Sequence, residues 1–408
     1  MRRIKAGSLQ LVTFIVVIIA LLLFMLILLI HTHKQYGLKV DQQLEALHLS
    51  EQLVRLSLID IDQTINNEPN SQYDTQITTS FWGCFNTLKT RVEWNSQHLG
   101  RVALVGMEVN SNDSVALYLK DNNNPLALVG NTYIEGHAYL PHRGVKSGSI
   151  AGYSYSRPQF IYGPLEPIRD FPVIDETLRS YLEELAVGNS EVDQLVFNNR
   201  KDYMNSFHNS TQAIISDESI VLSENKYVGN IMVCSRQEIV VEKSANIQDV
   251  ILLAPRIKVE NGFKGVLQAV ATEQILVGNS AQLAYPSSLV IIENSLTEPN
   301  ENNFLQLGDN SLIQGTVLYL SSGYSDYFSQ VKIMPEATVE GQVYCERNLE
   351  LRGTVKGMVV TNNFIISENG SIYQNHLFNS VISAYDLNEN FVGLNINLGR
   401  KGVAKWLY

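Results

Sequence analysis

The stretch KIMPEATVEGQV, residues 332–343, contains both of the patterns that decide the fold of this chain. Its first half has strand-forming residues, a short polar turn, the small residue Ala337 and then the apolar Val339. Its second half, Val339-Glu-Gly341-Gln-Val343, places apolar residues on either side of a glycine. Short apolar runs bounded by turn-forming residues are typical of β-strands. The stretch therefore predicts short strands joined by a tight corner.

Both patterns recur along the C-terminal half of the chain. The first occurs in Ile239–Ile247, Ile275–Leu283, Leu305–Ile313, Lys332–Val339 and Phe364–Ile372, with small residues at Ala245, Ala281, Ser311, Ala337 and Gly370. The second is centred on Gly136, Gly265, Gly315, Gly341 and Gly353. In a β-solenoid, inward apolar side chains stack from coil to coil, and small residues suit the corners. We therefore predict a parallel β-helix or related solenoid over residues 226–385, with an antiparallel sandwich as the alternative.

A separate signal lies at the N-terminus, where residues 9–30 read LQLVTFIVVIIALLLFMLILLI. From Leu11 to Ile30 the run is 20 residues long with Thr13 as its one polar residue, and at about 1.5 Å per residue it spans the roughly 30 Å hydrocarbon layer of a bilayer. A cleaved secretory signal is the competing interpretation, but its apolar core is usually about 7–15 residues and ends in an A-x-A-like site. The run therefore predicts an uncleaved, single-pass signal-anchor helix over residues 8–31.

The charges around this run predict its orientation. Arg2, Arg3 and Lys5 precede it, and basic residues favour the cytoplasmic side. We expect a cytoplasmic leader over residues 1–7 and a periplasmic or extracellular location for the bulk of the chain.

The remaining segments complete a mainly β fold. Residues 32–66 predict a stalk helix continuing from the membrane, with one face formed by Val40, Leu44, Leu47, Glu51, Val54 and Leu58. Residues 67–225 predict a β-rich, antiparallel domain in which VALVGMEV (102–109) and SVALYLK (114–120) are neighbouring strands. That domain has one helix near 174–187, which Asp175 caps. Residues 386–408 are expected to form a C-terminal cap or tail.

Composition excludes several classes of function. The net charge is −11, and the first 40 residues hold 5 of the 30 basic residues and no acid, so the rest of the chain has a net charge of −16. Phosphates repel such a surface, so no nucleic-acid partner is expected. The three cysteines, Cys84, Cys234 and Cys345, form no metal-binding motif. We expect them to be small buried hydrophobic residues.

No catalytic, cofactor-binding or metal-binding residue is predicted, because the sequence contains none of the usual motifs. His137 and His142 are separated by Pro141, so they cannot share a helical face, and we interpret them as turn residues. Arg256 lies in the apolar stretch LAPRIKV, where we expect it to need a partner. Stacked coils could still bring distant acids together.

One aromatic cluster is a candidate surface for binding. Tyr153, Tyr155, Phe160 and Tyr162 lie within GYSYSRPQFIYGP. Exposed aromatic rings on a β-surface suit glycan stacking or a protein interface, whereas rings packed under a loop are structural. Both interpretations remain open from the sequence.

Two resemblances follow from these residues. The C-terminal half looks like parallel β-helix proteins, both pectate-lyase-like enzymes and bactofilin-type polymer formers. The N-terminus resembles a prepilin segment of type IV pilins and type II secretion pseudopilins, in which a basic leader ends in a small residue before an apolar helix. The resemblance implies cleavage between Gly7 and Ser8. Val12 occupies the position at which those families usually have Glu. The tip-type minor pseudopilins also lack that acid.

Two functions follow as hypotheses. The first is a membrane-anchored, extracytoplasmic structural or assembly protein, pseudopilin-like and not an enzyme, whose partners are the lipid bilayer and other membrane or appendage subunits or copies of itself. The second is a membrane-anchored β-helix carbohydrate-active enzyme or glycan-binding protein. A groove with clustered acids and aromatic rings would favour the second.

Overall fold

The computed structural model describes residues 6–59, 72–109, 114–187, 193–198, 201–293, 302–321, 327–394, 396 and 399–407. Its helices are α1 (Ala6–Ile59) and α2 (Glu176–Val187). Before α2 the strands are β1 (Asp74–Trp82), β2 (Phe85–Trp94), β3 (Gln97–Glu108), β4 (Val115–Leu119), β5 (Leu126–Val129), β6 (Tyr133–Glu135), β7 (His137–Leu140), β8 (Val145–Ser147), β9 (Ser149–Ile150), β10 (Tyr153–Ser154) and β11 (Leu165–Pro167).

After α2 the strands are β12 (Asp193–Val196), β13 (Tyr203–Asn205), β14 (Gln212–Ser216), β15 (Ile220–Leu222), β16 (Lys226–Gly229), β17 (Ile231–Ser235), β18 (Glu238–Val241), β19 (Asn246–Val259), β20 (Lys264–Val277), β21 (Gln282–Ile292), β22 (Phe304–Leu307), β23 (Leu312–Leu320), β24 (Val331–Ile333), β25 (Thr338–Leu351), β26 (Thr354–Glu368), β27 (Ser371–Gln374), β28 (His376–Phe378), β29 (Val381–Ser383), β30 (Val392–Gly393) and β31 (Lys401–Leu407). The prediction of a mainly β chain with one long N-terminal apolar helix is confirmed.

The chain divides into two compact units. Unit 1 consists of Met1–Ile77 and Thr90–Gly100, and unit 2 of Thr78–Lys89 and Arg101–Tyr408. The boundary predicted between residues 225 and 226 is not a boundary of either unit. Residues 60–66, the end of the predicted stalk helix, lie outside the described residues.

Unit 1 is built around the second half of α1. Ala46 and Leu53 pack against Tyr73, Val92 and Trp94, and all five side chains are buried. Two polar contacts support this packing: the hydroxyls of Ser50 and Thr90 lie 2.9 Å apart, and the Tyr73 hydroxyl donates to Glu45 Oε2 at 2.8 Å. The last four turns of the helix, from Glu45 to Ile59, therefore carry its contacts with the β-strands of this unit.

The central feature of unit 2 is a parallel ladder of twelve strands, which we call the central ladder. Its strands pair in the order β12, β14, β17, β19, β20, β21, β23, β25, β26, β4, β7 and β11. At about 4.8 Å between neighbouring strands, this ladder is roughly 50 Å long.

Two further parallel ladders follow the central one. One contains β13, β16 and β29, and the other contains β15, β18, β22 and β24. The long strands β19, β20, β25 and β26 take part in more than one ladder, with register shifts where one ladder ends. Because these strands are shared, the three ladders belong to one closed network of paired strands.

Repeated corner turns connect two of the ladders. Each turn has a hydrogen bond from the backbone N–H of its fourth residue to the carbonyl of its first, and the fourth residues are Ala245, Phe263, Ala281, Ser311 and Ala337. All five of these side chains are buried. The first residues of the first three turns, Glu242, Glu260 and Gly278, are 18 residues apart. The small-residue pattern missed the second of these turns because Phe263 takes the position.

The last predicted repeat is wrong in detail. Residues 364–372 form an antiparallel hairpin between β26 and β27, in which Ser367 pairs with Ile372. Gly370 lies in the turn of this hairpin with φ of +75°. Gly370 therefore allows the left-handed backbone conformation of a hairpin turn, and it does not form a corner between parallel strands.

The prediction that residues 102–109 and 114–120 form neighbouring antiparallel strands is also wrong. β3 pairs antiparallel with β30 and β31, whereas β4 pairs in parallel with β26 and β7. The parallel network thus includes strands from both sides of the predicted boundary at residue 225. We call the junction of β4, β5 and β6 with β26, β28 and β29 the seam, because it joins segments about 250 residues apart in the chain.

The central ladder is apolar on both faces. Its inward side chains form the largest core, and its outward side chains form a second core with Trp82, Phe85, Leu178, Leu182 and Leu185. The sequence of a strand that is buried on both faces is a continuous apolar run, as in Val250–Ala254 and Leu289–Ile292. α2 and the strands that precede the ladder therefore cover much of its outer face.

Candidate functional site

The first half of α1 is the clearest candidate for an interaction element. Among the described residues, it is the one helix long and apolar enough to cross a membrane. Its most apolar 18-residue window has a mean hydropathy of 3.5, and none of that window is buried. Gly7 lies exposed in the first turn of α1, and Ser8 follows it in the helix. The leader residues 1–5 lie outside the described residues.

The second half of α1 has two different faces. The buried face is formed by Ala46, Ser50, Leu53, Val54 and Ser57. Val54 is thus the buried member of the predicted apolar face, and the other apolar members lie beside it: Val40, Leu47 and Leu58 are half-buried and Leu44 is 51% exposed. We call these four residues the stalk stripe. The stripe leaves apolar surface on the same helix that carries the membrane-length segment.

The predicted aromatic cluster divides into separate ring contacts. Tyr155 stacks on Phe160 with ring centroids 5.3 Å apart, and both pack against the inner core of unit 2. Tyr162 lies 4.8 Å from the ring of Tyr133, and Tyr153, the exposed member, lies 5.8 Å from Phe378. The four residues thus do not form one continuous platform.

A different aromatic surface lies at one end of the central ladder. The rings of Tyr118 and Tyr139 stack with centroids 4.7 Å apart and an interplanar angle of 3°. This spacing follows from their positions directly opposite each other on the parallel strands β4 and β7. The His137 ring stacks on Tyr139 at 4.3 Å, and its Nε2 lies 3.4 Å from Glu166 Oε1.

The stacked rings line an open cavity of about 380 Å³, which we call the tyrosine groove. Its lining includes Tyr118, Tyr139, Phe171, Glu166, Arg169 and Asp170. The Glu166, Arg169 and Asp170 side chains are exposed, while the three aromatic side chains are half-buried. The groove therefore combines an aromatic wall with two acids and one base at its rim.

A second cluster brings charged residues together at consecutive strands of the central ladder, β21, β23 and β25. Arg347 pairs with Glu293 at 3.2 Å, and both side chains are almost fully buried. Glu346 accepts hydrogen bonds from the Ser321 backbone N–H at 2.8 Å and from the Tyr344 hydroxyl at 3.1 Å. Arg179 of α2 also pairs with Glu346. Each carboxylate has an arginine partner, so the cluster serves to hold α2 and the ladder edge together.

The residues that the sequence singled out have ordinary structural partners. Arg256 of β19 pairs with Glu273 of the neighbouring strand β20 at 3.1 Å, and both side chains are about half exposed. His142 lies beside Asp121, whose carboxylate accepts the His142 backbone N–H at 3.0 Å. No group of three or more metal-ligating side chains occurs among the described residues.

The three cysteines are free thiols. Cys84 and Cys345 are buried, and burial raises the pKa of their thiols to about 11 and about 12 respectively. Cys234 is half-buried, and its thiol pKa is raised to about 11 for the same reason. A thiol protonated at neutral pH is a poor nucleophile and metal ligand.

Sequence reasoning missed the tyrosine groove and the charged cluster. A weak signal for the cluster exists, since Glu293 and Glu346 each follow an apolar strand run. Tyr118 and Tyr139 lie 21 residues apart with no shared motif, so only the pairing of β4 with β7 brings them together.

Comparisons with known proteins leave the family open. No protein-family model matches the sequence, and no curated protein matches it. The crystal structure of competence-associated pilin ComZ from Thermus thermophilus aligns over 90% of this chain and 95% of that chain, with 10% sequence identity and a TM-score of 0.22. A TM-score of this size does not establish a common fold.

Proposed function

We propose that the protein is a membrane-anchored, extracytoplasmic structural component, pseudopilin-like in its N-terminal segment, whose parallel ladders form a β-helix. The observation that carries the proposal is α1. One continuous helix has an apolar, fully exposed first half and a second half packed on the strands of unit 1. At about 1.5 Å per residue, 54 helical residues extend roughly 80 Å. This helix would connect a bilayer rigidly to the β-strands.

The stalk stripe supplies the second argument for assembly. Exposed leucine on a surface helix is common when scattered, but an apolar row along one side of a helix suits contact with another helix. Leu44 and Leu47 lie one turn apart in this row, beside the face already used by unit 1. We infer that a helix of another membrane subunit, or of a second copy, packs along the stripe.

The test of the proposal begins with intact mass and N-terminal sequencing of the protein purified from membranes of its own host. A chain beginning at Ser8, with a methylated N-terminus, supports prepilin-type processing. A chain beginning at Met1 rejects the pseudopilin-like part and leaves a plain anchor. Recovery of the protein only in the soluble fraction rejects the anchor itself.

Assembly is tested by a photo-crosslinking amino acid at Leu44, with Gln52 as the matched control. Both positions are exposed on α1, and Gln52 lies outside the stalk stripe. We expect crosslinks to a second polypeptide from position 44 and few from position 52. Equal crosslinking from both positions, or none from either, contradicts a partner on the stripe.

A further inference from the structure

The position of the tyrosine groove on the central ladder gives it a distinctive environment. A single row of outward side chains runs along the ladder in register through Val290, Leu318, Tyr344, Val360, Tyr118, Tyr139 and Glu166. The members from Val290 to Val360 are buried in the outer core, whereas the last three line the groove. The segments that cover the outer face of the ladder therefore end between Val360, which is buried, and Tyr118, which is half-buried.

The groove is rigid on its ladder side. Tyr118 and Tyr139 lie on neighbouring strands of a continuous parallel sheet, and their rings stack almost parallel. The opposite wall is the segment that leads into α2. There the Pro172 carbonyl oxygen lies 3.2 Å from the oxygen of the buried Tyr344 hydroxyl, whose proton is shared with Glu346. Phe171 lies 6.5 Å from the Tyr344 ring, so this wall is also anchored to the ladder.

The chemistry of the groove matches one class of ligand. Aromatic rings and the prolines Pro167 and Pro172 offer apolar surface to the C–H faces of a sugar ring. The exposed carboxylates of Glu166 and Asp170 accept hydrogen bonds from hydroxyls, and Arg169 donates them. The groove thus combines apolar ring surface with several convergent polar groups, and convergent polar groups in a concave site fix the orientation of a small ligand.

The charges at the rim of the groove restrict the class of ligand further. Two carboxylates and one guanidinium at the rim give the groove no excess of positive charge. Arg169 and Lys120, whose Nζ lies 5.9 Å from the Phe171 ring centroid, balance the charges of Glu166 and Asp170, so the groove has no net positive charge to attract an anionic polymer. A neutral chain with many hydroxyls needs no such attraction.

We propose that the tyrosine groove binds a neutral oligosaccharide. The ligand packs between Tyr118 and Tyr139 on the ladder wall and Phe171 on the opposite wall, and forms hydrogen bonds with Glu166, Arg169 and Asp170 at the rim. This site lies wholly in unit 2. The binding proposal is therefore tested independently of leader cleavage and of a partner on the stalk stripe.

The test uses the full chain in detergent micelles and isothermal titration with neutral tetrasaccharides of glucose, mannose, galactose and N-acetylglucosamine. We expect at least one to bind, and Asp170→Asn to weaken that binding about tenfold, because a charge-assisted hydrogen bond is lost. The matched control is Asp217→Asn, whose carboxylate is 78% exposed and lies away from the groove. Tyr139→Ala and its control Tyr153→Ala repeat the comparison for the aromatic wall.

Several outcomes overturn the proposal. Absence of binding by all four tetrasaccharides does so, as does binding that Asp170→Asn and Tyr139→Ala leave unchanged. Binding of a proline-rich peptide in the groove, with no sugar competing for it, identifies a protein partner and also overturns the proposal. Because Asp170 is exposed, its variant is expected to fold, and this keeps the test valid even if Tyr139→Ala unfolds.

Discussion

At the scale of single residues, two buried glutamines, Gln268 and Gln342, form hydrogen bonds with chain segments that cover the outer face of the central ladder. Gln268 Oε1 accepts the Cys84 backbone N–H at 2.8 Å, and Gln268 Nε2 donates to the Trp82 carbonyl at 2.9 Å. Gln342 repeats the arrangement further along the ladder, where its Oε1 accepts the Leu394 N–H at 2.7 Å. These amides satisfy backbone groups of chain segments that would otherwise be buried without partners.

The first prediction concerns Gln268→Ala. The change leaves the Cys84 N–H and the Trp82 carbonyl buried without partners, at about 1–3 kcal/mol for each group. We expect a clear fall in the denaturation midpoint measured by tryptophan fluorescence. Gln248→Ala is the control, because Gln248 is exposed on a neighbouring strand. Equal stability of the two variants would contradict the role of these hydrogen bonds.

The second prediction concerns the pH dependence of Asp121. Hydrogen bonds from the His142 backbone N–H, the His142 side chain and the Asn123 N–H lower the pKa of this carboxyl to about 2 from an ordinary 3.8. Its stabilisation is therefore present above about pH 4 and is lost as the pH falls toward 2. We expect Asp121→Asn to be about 1 kcal/mol less stable at pH 7, since the group is partly exposed.

Urea unfolding at several pH values measures the difference between wild type and Asp121→Asn. The difference should shrink as the pH falls below 4 and approach zero only below pH 2, where the carboxyl of the native wild type is protonated as well. A difference that is constant with pH would show that the carboxylate charge has no part in it.

The third prediction concerns thiol reactivity. Burial keeps Cys84 and Cys345 protonated and out of contact with solvent. Iodoacetamide at pH 8 should therefore modify neither residue in the native protein and both in urea, as followed by peptide mass spectrometry. Rapid native labelling of Cys345 would contradict its place in the inner core.

At the scale of elements, α2 depends on its cap and on the ladder beneath it. The Asp175 carboxylate accepts the backbone N–H of Thr177 at 2.9 Å and of Leu178 at 3.3 Å, as predicted from the sequence. The Thr177 hydroxyl and these N–H groups also lower the pKa of Asp175. Leu182 is fully buried in the outer core, so the helix is fixed by both its end and its face.

The fourth prediction is that Asp175→Ala costs about 1 kcal/mol, the usual value for loss of an N-cap. Hydrogen exchange should rise in the first turn of α2 and remain unchanged in β6, which lies in a different ladder. Glu176→Ala is the control, since Glu176 is exposed and the Thr177 and Leu178 N–H groups are still capped in that variant. Comparable exchange in both variants would contradict the capping role.

At the scale of the whole molecule, the seam makes two distant parts of the chain interdependent. Besides the parallel pairing, the buried Thr132 hydroxyl contacts the Leu377 carbonyl at 3.1 Å, and Asn379 Oδ1 accepts the Asn131 N–H at 2.9 Å. The strands of residues 115–135 therefore pair with strands of residues 354–383. Unit 2 cannot be divided at residue 225 without exposing both sides of the seam.

The fifth prediction follows from the seam. Leu117 is fully buried opposite Val359, and its truncation to alanine should cost about 2–5 kcal/mol. Hydrogen exchange by mass spectrometry should increase in residues 354–361 as well as in residues 115–119. An increase confined to residues 115–119 would indicate that the two segments unfold separately.

The amino-acid sequence by itself determined the membrane-length helix, the cap of α2 and the apolar strand runs, because each depends on residues close together in the chain. The corner pattern was also local, but it failed at Phe263, where a large residue fills the position that small residues take elsewhere. Local patterns do not distinguish a parallel corner from a hairpin turn, as Gly370 shows.

Only the tertiary structure decided which strands pair, because pairing depends on contacts between residues far apart in sequence. Val115–Leu119 has the same alternation whether it pairs with β3 or with β26. The long parallel stack buries both faces of the central ladder, and this burial selects the second arrangement. The tyrosine groove follows from the same choice, since Tyr118 and Tyr139 meet only when β4 and β7 lie side by side.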